Sequence, residues 1–143
     1  MMMAGPRRSL DEYVKDRIDQ LYSLGGVVRG VVVNKLPNAI SIHAQVTFGE
    51  FNDGLLGVYE HVVLEDGVPH RRKYGYQCQY EDSFLFRYDR DPVQHPEMAE
   101  HKHIGEGRRI AADRVTLHDV VDEFWPTVAE RDEVARSELE DDE

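Results

Sequence analysis

The sequence predicts an α+β fold, an antiparallel β-meander of about five strands with an N-terminal helix and a C-terminal helix packed on it. Between positions 27 and 89, β-branched or alternating apolar segments are separated by turn sequences such as Asn52-Asp53-Gly54 and Asp66-Gly67. Short strands joined by such turns are typical of antiparallel hairpins. Segments with helical spacing of apolar residues flank this region. The 143 residues, of which 41% are hydrophobic, suffice for one domain over 1–143.

The N-terminal helix is predicted over residues 9–24. Ser9 and Glu12 have the spacing of a capping box, in which each side chain accepts a hydrogen bond from the backbone of the other residue. Apolar side chains then recur every three or four residues, and Gly25-Gly26 ends the pattern. We expect one face of this helix to pack on the sheet.

The sheet is predicted over residues 27–89, and its last two strands each have one aromatic and one polar face. We expect the aromatic faces to form the core and the opposite faces to make one polar surface. The aromatic faces hold Tyr74, Tyr76, Cys78 and Tyr80 on one strand and Phe84, Phe86 and Tyr88 on the next, and the polar faces hold Lys73, Gln77, Gln79, Arg87 and Asp89.

The part of the chain after the sheet divides into three segments. Residues 90–115 are predicted to form a loop that carries the candidate site, and residues 116–129 a second helix that begins at Thr116. Pro126 either kinks this helix or begins a new one, because proline lacks an amide N–H. Residues 130–143 hold eight acidic residues and two arginines, which predicts a frayed or disordered tail.

The chain is strongly acidic and poor in lysine. It has 28 Asp and Glu residues against 17 Lys and Arg residues, and four of the basic residues are Lys. Hydrated carboxylates keep a surface soluble when molar salt shortens the Debye length to about 3 Å. This composition predicts a halophilic protein, and the alternative is an ordinary acidic one.

Some classes of protein are disfavoured. The sequence has no apolar run long enough to predict a membrane span, and its start lacks the apolar segment of a signal peptide. The single cysteine, Cys78, excludes an intrachain disulfide and suits the reducing cytoplasm. Because Cys78 lies among tyrosines of the predicted core face, we expect a buried, unreactive thiol.

Basic residues are concentrated between His70 and Val115. This segment holds nine basic and eight acidic residues, whereas the rest of the chain holds eight basic and twenty acidic residues, a net charge of −12. A polyanion can therefore approach the central segment with less repulsion than any other part of the chain.

One stretch, Phe84 to Ile104, concentrates titratable side chains. It contains His95, His101 and His103, three of the seven histidines, together with arginine, lysine and carboxylate side chains. In an extended chain His101 and His103 point to the same side, about 6–7 Å apart. The other histidines, His43, His61, His70 and His118, stand alone in the sequence, and we expect them to be structural or solvated.

Two chemistries use such a histidine pair. The two imidazoles can bind one metal ion, with His95, Glu97 or Asp89 completing the ligand shell. Alternatively, a neutral imidazole removes the proton of a 2′-hydroxyl and an imidazolium protonates the leaving oxygen, while Lys102 or Arg87 stabilises the phosphorane. A third interpretation is a group of surface histidines hydrogen-bonded to nearby acids.

Four short motifs of the chain occur together in one known family. They are Lys73-Tyr74-Gly75-Tyr76, Phe86-Arg87-Tyr88-Asp89, His95-Pro96-Glu97 and His101-Lys102-His103. Over roughly Gly49 to Trp125 the chain resembles the TumE-type toxins of prokaryotic type II toxin–antitoxin modules. The resemblance implies a small growth-inhibiting protein held in check by an antitoxin encoded nearby. Gln77, Arg90 and Gln94 depart from the family's pattern.

The residues and the resemblance together predict a toxin that acts on RNA in the cytoplasm as a metal-independent endoribonuclease. We expect no cofactor and no membrane contact, an antitoxin as partner, and a homodimer as one compatible assembly. The alternative is a non-catalytic or metal-binding interaction module that inhibits a partner by binding it. The predicted catalytic residues are His95, His101, His103, Arg87 and Asp89, and the predicted substrate-binding residues are Lys73, Gln77, Tyr88 and Lys102.

The roles of two cations depend on the local backbone. In a regular strand Lys102 points away from His101 and His103. In that case Arg87 is the better phosphate partner, because its planar guanidinium can bind two oxygens at once.

We expect folding to depend on salt, because the net charge of −12 outside the central segment repels itself at low ionic strength. Circular dichroism melts between low and molar KCl should show a Tm that rises with salt. A Tm that stays constant or falls as KCl is added would contradict this expectation.

Overall fold

A computed structural model describes residues 7–105 and 107–141 of the chain. It has an N-terminal helix, an antiparallel sheet and a C-terminal helix, so the predicted α+β class is confirmed. The elements in chain order are α1 (Leu10–Tyr22), β1 (Val27–Leu36), β2 (Ala39–Phe48), β3 (Gly54–Glu65), β4 (Val68–Tyr80), β5 (Ser83–Arg90), a 3₁₀ turn (Pro96–Met98), β6 (Glu100–Ile104), β7 (Arg109–Ala111) and α2 (Leu117–Asp141).

The sheet is a simple meander in which seven strands lie in chain order, each antiparallel to the next. The predicted number of about five strands was too small, because β6 and β7 lie in the segment 90–115 that was predicted to be a loop. These two strands are five and three residues long. β6 pairs with β5 and β7 pairs with β6, and this pairing decides their conformation, because such short segments have little intrinsic strand preference.

Local sequence signals set the helix starts and the tight turns. The Ser9 hydroxyl accepts the N–H of Glu12 at 3.0 Å, and the Glu12 carboxylate accepts the N–H of Ser9 at 3.2 Å, so the predicted capping box is present. Thr116 and Asp119 form the same reciprocal pair before α2. Asp66 and Gly67 both adopt positive φ in the two-residue turn between β3 and β4, as hairpins of this length require.

Both helices pack on one face of the sheet, which leaves the other face uncovered within the described residues. The larger cluster joins Leu117, Val120 and Phe124 of α2 to alternate residues of β2 to β5, and the smaller joins Tyr13 of α1 to Ile40, Ile42 and Val62. We call the uncovered side the open face. On it lie the side chains between the buried ones, such as His43 and Gln45 of β2.

Cys78 belongs to the larger cluster and is buried as predicted. Burial, and then the negative charge of nearby Glu123, raise the pKa of the Cys78 thiol to about 12. A thiol that stays protonated at neutral pH is a poor nucleophile. No helix in residues 7–105 and 107–141 is long and apolar enough to cross a membrane.

A β-bulge changes the face on which Phe84 lies. Cys78 pairs with Phe86 but Gln79 pairs with Phe84, so Leu85 is an extra residue in β5. As a result Leu85 packs against the core, while Phe84 is 39% exposed. The prediction that Phe84 shares the core face with Phe86 is therefore wrong, because the bulge breaks the strict alternation on which it depended.

The second helix is longer than predicted. It runs from Leu117 to Asp141 and includes Pro126, so the predicted bound at residue 129 is wrong. The segment expected to be a disordered tail is helical as far as Asp141, and residues 142–143 lie outside the described residues. Arg131 holds this part of α2 against the sheet, since it donates a hydrogen bond to the carbonyl of Tyr80 at 3.2 Å and lies over the Tyr80 ring.

Glu60 links α1 to the sheet from a fully buried position on β3. Its carboxylate accepts hydrogen bonds from the Tyr13 hydroxyl at 2.8 Å, from Nε of Arg17 at 3.0 Å, and from the Tyr76 hydroxyl. Burial, and then the charge of Glu60, raise the pKa of Tyr13 to about 12, so this hydroxyl remains a donor at neutral pH. The hydrogen bonds of this buried carboxylate therefore fix α1 on the core face.

Glu60→Ala should lower the free energy of unfolding by about 3–5 kcal/mol, because it leaves Arg17 largely buried without its partner. The matched control is Glu65→Ala, which removes an exposed pair with Arg72 and should cost less than about 1 kcal/mol. Denaturant unfolding at one fixed salt concentration measures both losses. Equal losses in the two variants would show that the buried cluster does not stabilise the fold.

Candidate functional site

Strand register gathers the predicted site residues on the open face. Asp89 of β5 pairs with Gly75 of β4 on one side and with His101 of β6 on the other. Neighbouring strands lie about 4.8 Å apart, so residues far apart in sequence become neighbours across the sheet. Two rows of paired residues run from β2 to β7: His43, Tyr59, Gly75, Asp89, His101 and Ala111 form one, and Gln45, Gly57, Gln77, Arg87, His103 and Arg109 form the other.

The Asp89 carboxylate lies at the centre of this cluster. Its Oδ1 accepts a hydrogen bond from Nε of Arg87 at 2.6 Å. Its Oδ2 lies 3.0 Å from Nε2 of His103 and 3.5 Å from Nε2 of His101. One carboxylate thus orients a guanidinium and two imidazoles, and the predicted grouping of Asp89, Arg87, His101 and His103 describes one compact cluster.

His101 is the most enclosed member of the cluster, at 2% exposed. Its Nδ1 lies 3.0 Å from the carbonyl oxygen of Met98. Because a carbonyl only accepts hydrogen bonds, Nδ1 carries the proton, and Nε2 faces Asp89 with a lone pair unless it is also protonated. The geometry therefore brings acceptor atoms of His101 and Asp89 together, and a proton or a cation between them stabilises the arrangement.

His95 and Arg109 extend the cluster toward the edge of the sheet that β7 forms. The rings of His95 and His101 are 5.1 Å apart between centroids, and those of His101 and His103 are 4.9 Å apart. Nη1 of Arg109 lies 3.1 Å from Nδ1 of His95. The three histidines, Asp89 and Arg87 line a cleft of about 290 Å³, which Lys73 and Tyr59 also line.

Gly75 makes room for the ion pair of Arg87 and Asp89. A Cβ atom at position 75 would lie 2.6 Å from Nη2 of Arg87 and 3.0 Å from Oδ1 of Asp89. Any side chain here would push the guanidinium away from its place across β4. Within the Lys-Tyr-Gly-Tyr motif, position 75 thus contributes open space rather than a side chain.

Two of the predicted substrate-binding residues lie on the other face of the sheet. Lys102 and Tyr88 form a directly paired couple on the core face, and both contact Glu123 of α2. Burial, and then the hydrogen bond to Glu123, raise the pKa of the Tyr88 hydroxyl above its ordinary value. Lys102 points away from the histidines as a regular strand requires, whereas Arg87 lies on their side of the sheet.

The other two predicted substrate-binding residues lie on the site side. Gln77 accepts a hydrogen bond from Nη1 of Arg87 at 3.3 Å. Lys73 lines the cleft, with its Nζ 3.8 Å from Oδ1 of Asp91. Both residues therefore lie beside the Asp89 cluster on the open face.

Sequence reasoning missed Arg109 and Tyr59. Arg109 lies beyond a glycine-rich turn, and its place beside His95 depends on the pairing of β7 with β6. Tyr59 lies on β3, about two strand spacings or ~10 Å from Asp89. The alternation of β3 could have placed Tyr59 on the open face, but no local pattern joins it to residues thirty positions away.

Three side chains of the cluster could hold a metal ion. The ligand atoms of Asp89, His101 and His103 all lie within 4.8 Å of one another. In a tetrahedral zinc site with bonds of ~2.0–2.1 Å, neighbouring ligand atoms lie about 3.3 Å apart. The two carboxylate–imidazole separations, 3.5 and 3.0 Å, are close to this value, and the two imidazole nitrogens lie within 4.8 Å of each other. A histidine that donates Nδ1–H to a backbone carbonyl, as His101 does, is also typical of metal ligands.

Comparison with known proteins identifies one family. A family model described as Toxin TumE matches residues 11–132 of the chain. The match includes the whole sheet and every residue of the Asp89 cluster. A search of the curated proteins and a search of the solved structures each found no match.

Gly75→Ala should separate Arg87 from Asp89, because the added methyl group occupies the position of the guanidinium. The measurement is the ¹⁵N NMR resonance of the Arg87 Nε–H group, which a hydrogen bond of 2.6 Å protects from exchange with water. We expect that resonance to broaden or disappear.

The matched control is Gly57→Ala on the same face, whose Cβ would meet nothing closer than the Gln77 carbonyl oxygen at 4.0 Å. It should leave the Arg87 resonance in place. A protected Arg87 signal in both variants would mean that Gly75 is not needed for the ion pair.

Proposed function

We propose that this chain, which belongs to the TumE toxin family, inhibits growth by cleaving RNA at the Asp89 cluster. As a member of that family it is the toxin component of a toxin–antitoxin module, and a cognate antitoxin is its partner. The observation that carries the proposal is the placement of Asp89 between two imidazoles and a guanidinium in one open cleft. An RNA substrate places the activity in the cytoplasm.

His103 suits the role of general base. Its Nε2 lies 3.0 Å from Asp89, so the neutral ring donates Nε2–H to the carboxylate and keeps a lone pair on Nδ1. That lone pair can take the proton of a 2′-hydroxyl, and the carboxylate stabilises the imidazolium that forms. His103 is partly exposed at the cleft, where a bound nucleotide can reach it.

Phosphodiester cleavage also requires a general acid and a cation that stabilises the charged phosphate, and His101 and Arg87 supply these. A second proton on Nε2 of His101 makes an imidazolium whose charge Asp89 balances. As the deprotonated 2′-oxygen bonds to phosphorus, this proton passes to the leaving 5′-oxygen and the bond between that oxygen and phosphorus breaks, which gives a 2′,3′-cyclic phosphate and a free 5′-hydroxyl. Arg87 uses Nε and Nη1 for Asp89 and Gln77, which leaves its Nη2 hydrogens for a phosphate oxygen. His95, held beside Arg109, completes the wall of the cleft.

A second candidate function is supported by the convergence of three ligand atoms. Asp89, His101 and His103 have the donor set of a site for zinc or another transition metal. In this alternative the chain is a metal-binding module, or a nuclease whose metal activates water at the same place. The open face and the family membership fit either alternative, so a chelator has to separate them.

His103→Ala and His101→Ala should each reduce RNA cleavage by about 10²–10⁴-fold, the usual contribution of general acid–base catalysis. Arg87→Ala should have a smaller effect, since it removes charge stabilisation but no proton transfer. The assays are growth inhibition with and without the neighbouring antitoxin gene, and mapping of new RNA 5′ ends. Two controls are His61→Ala, a histidine on the open face outside the cleft, and Lys102→Ala, a cation on the opposite face.

Three outcomes distinguish the alternatives. Loss of cleavage in both histidine variants, with wild-type activity that survives EDTA, supports the metal-free mechanism. The same loss, with wild-type activity abolished by EDTA and restored by one added metal, supports the metal site. Histidine variants that remain toxic at matched expression would exclude the Asp89 cluster as the active site.

A further inference from the structure

A groove on the open face adjoins the cleft of the Asp89 cluster. It has a volume of about 560 Å³ and crosses strands β1 to β5. Arg29 lies toward one end and Arg87 at the other, and His43 lies between them. Among the residues that the structure describes, none of those lining this groove carries a carboxylate, although the chain has 28 acidic residues. The groove is therefore a surface that a polyanion can approach.

The floor of the groove offers a stacking surface. Tyr59 and His43 are directly paired across β3 and β2, and their ring centroids are 4.9 Å apart with an angle of 41° between the planes. Aromatic and imidazole rings exposed on a sheet are the side chains on which proteins stack unpaired nucleobases. This contact also gives a role to His43, a histidine that stands alone in the sequence.

Gly57 leaves a gap between two amide side chains. Gln45, Gly57 and Gln77 form one row across β2, β3 and β4, so the two glutamines flank a position without a side chain. The gap between the outer strands of this row is about 10 Å, two strand spacings. Amide groups on both sides can donate to and accept from the edge of a base that lies between them.

The groove and the cleft share two residues. Tyr59 and Arg87 line both, and Tyr59 pairs with Gly75, which in turn pairs with Asp89. A ligand that fills the groove therefore continues directly to His103 and Arg87. A base on Tyr59 would lie three strand spacings, or about 14 Å, from His101 and His103.

We propose that this groove binds an unpaired nucleotide of single-stranded RNA beside the cleaved phosphate, by stacking its base on Tyr59 and His43. The choice of RNA as the ligand rests on the proposed function. A paired base in a duplex is already stacked and has its edge occupied, so the groove selects single-stranded substrate. Arg29 and Arg87 contact the backbone at the two ends.

Binding of a fluorescent single-stranded 2′-O-methyl oligoribonucleotide to the full chain tests the proposal. The methylated RNA has no free 2′-hydroxyl, so binding is measured without cleavage. Tyr59→Ala should weaken binding by about 5–150-fold, since stacking of one base on an aromatic ring contributes ~1–3 kcal/mol. Tyr59→Phe keeps the ring and should bind within about twofold of wild type, as should the control His61→Ala on the same strand face.

A second variant fills the groove without removing a ligand group. The position of Gly57 has room for a Cβ, with the nearest atom at 4.0 Å, so Gly57→Val should fold and block the gap between the glutamines. We expect it to weaken single-strand binding by at least tenfold at unchanged Tm. The same RNA annealed to its complement should bind wild type more weakly than the single strand does at the same salt concentration.

The outcomes separate this inference from the proposed function. Tyr59→Ala and Gly57→Val proteins that bind the single strand as wild type does would overturn the groove assignment, even if unmodified RNA is cleaved. Tyr59-dependent binding by a wild-type protein that never cleaves unmodified RNA would sustain the groove and exclude the nuclease. Should Gly57→Val fail to fold, the comparison of Tyr59→Ala with Tyr59→Phe decides alone.

Discussion

The Asp89 carboxylate is the constraint around which the open face is built, because three partners that are or can become positively charged share its two oxygens. Arg87 takes one oxygen, and His101 and His103 face the other. A carboxylate that is only 15% exposed in its side chain needs this charge compensation. The strand register brings these partners to Asp89. Because Gly75 has no side chain, the Arg87 guanidinium has room to lie beside the carboxylate.

The same arrangement offers one place that either a proton or a metal ion could occupy. His101 is held with its protonated nitrogen on a backbone carbonyl, so its other nitrogen faces a carboxylate oxygen. Two acceptors at this distance repel each other unless positive charge lies between them. An imidazolium proton meets that requirement in acid–base chemistry, and a divalent cation meets it in metal chemistry. The acid–base and metal alternatives differ in what would lie between His101 and Asp89, because the same side-chain positions suit both.

Because the two sheet faces carry different side chains, this very acidic chain has a groove whose lining contains no carboxylate among the residues that the structure describes. The core face takes both helices, the buried Glu60 cluster and the Lys102–Glu123 pair. The open face keeps Arg87 and the arginine and glutamine side chains of the groove. A meander permits this division because each strand alternates its side chains between the two faces. Whether a residue has an odd or an even position in its strand therefore decides on which face its side chain lies.

Local sequence determined α1 and the tight turns, whereas tertiary pairing decided β6, β7 and the site. The Ser9–Glu12 capping box, the Asp66-Gly67 turn and the shared side of His101 and His103 follow from contacts within a few residues, so the sequence alone predicted them. The bulge at Leu85 and the place of Arg109 beside His95 depend on which residues pair across strands. The alternation of apolar and polar residues sets register only along a regular strand, and an extra residue such as Leu85 interrupts it. The place of Arg109 depends on which strand β7 joins, and the sequence of β7 alone does not contain that information.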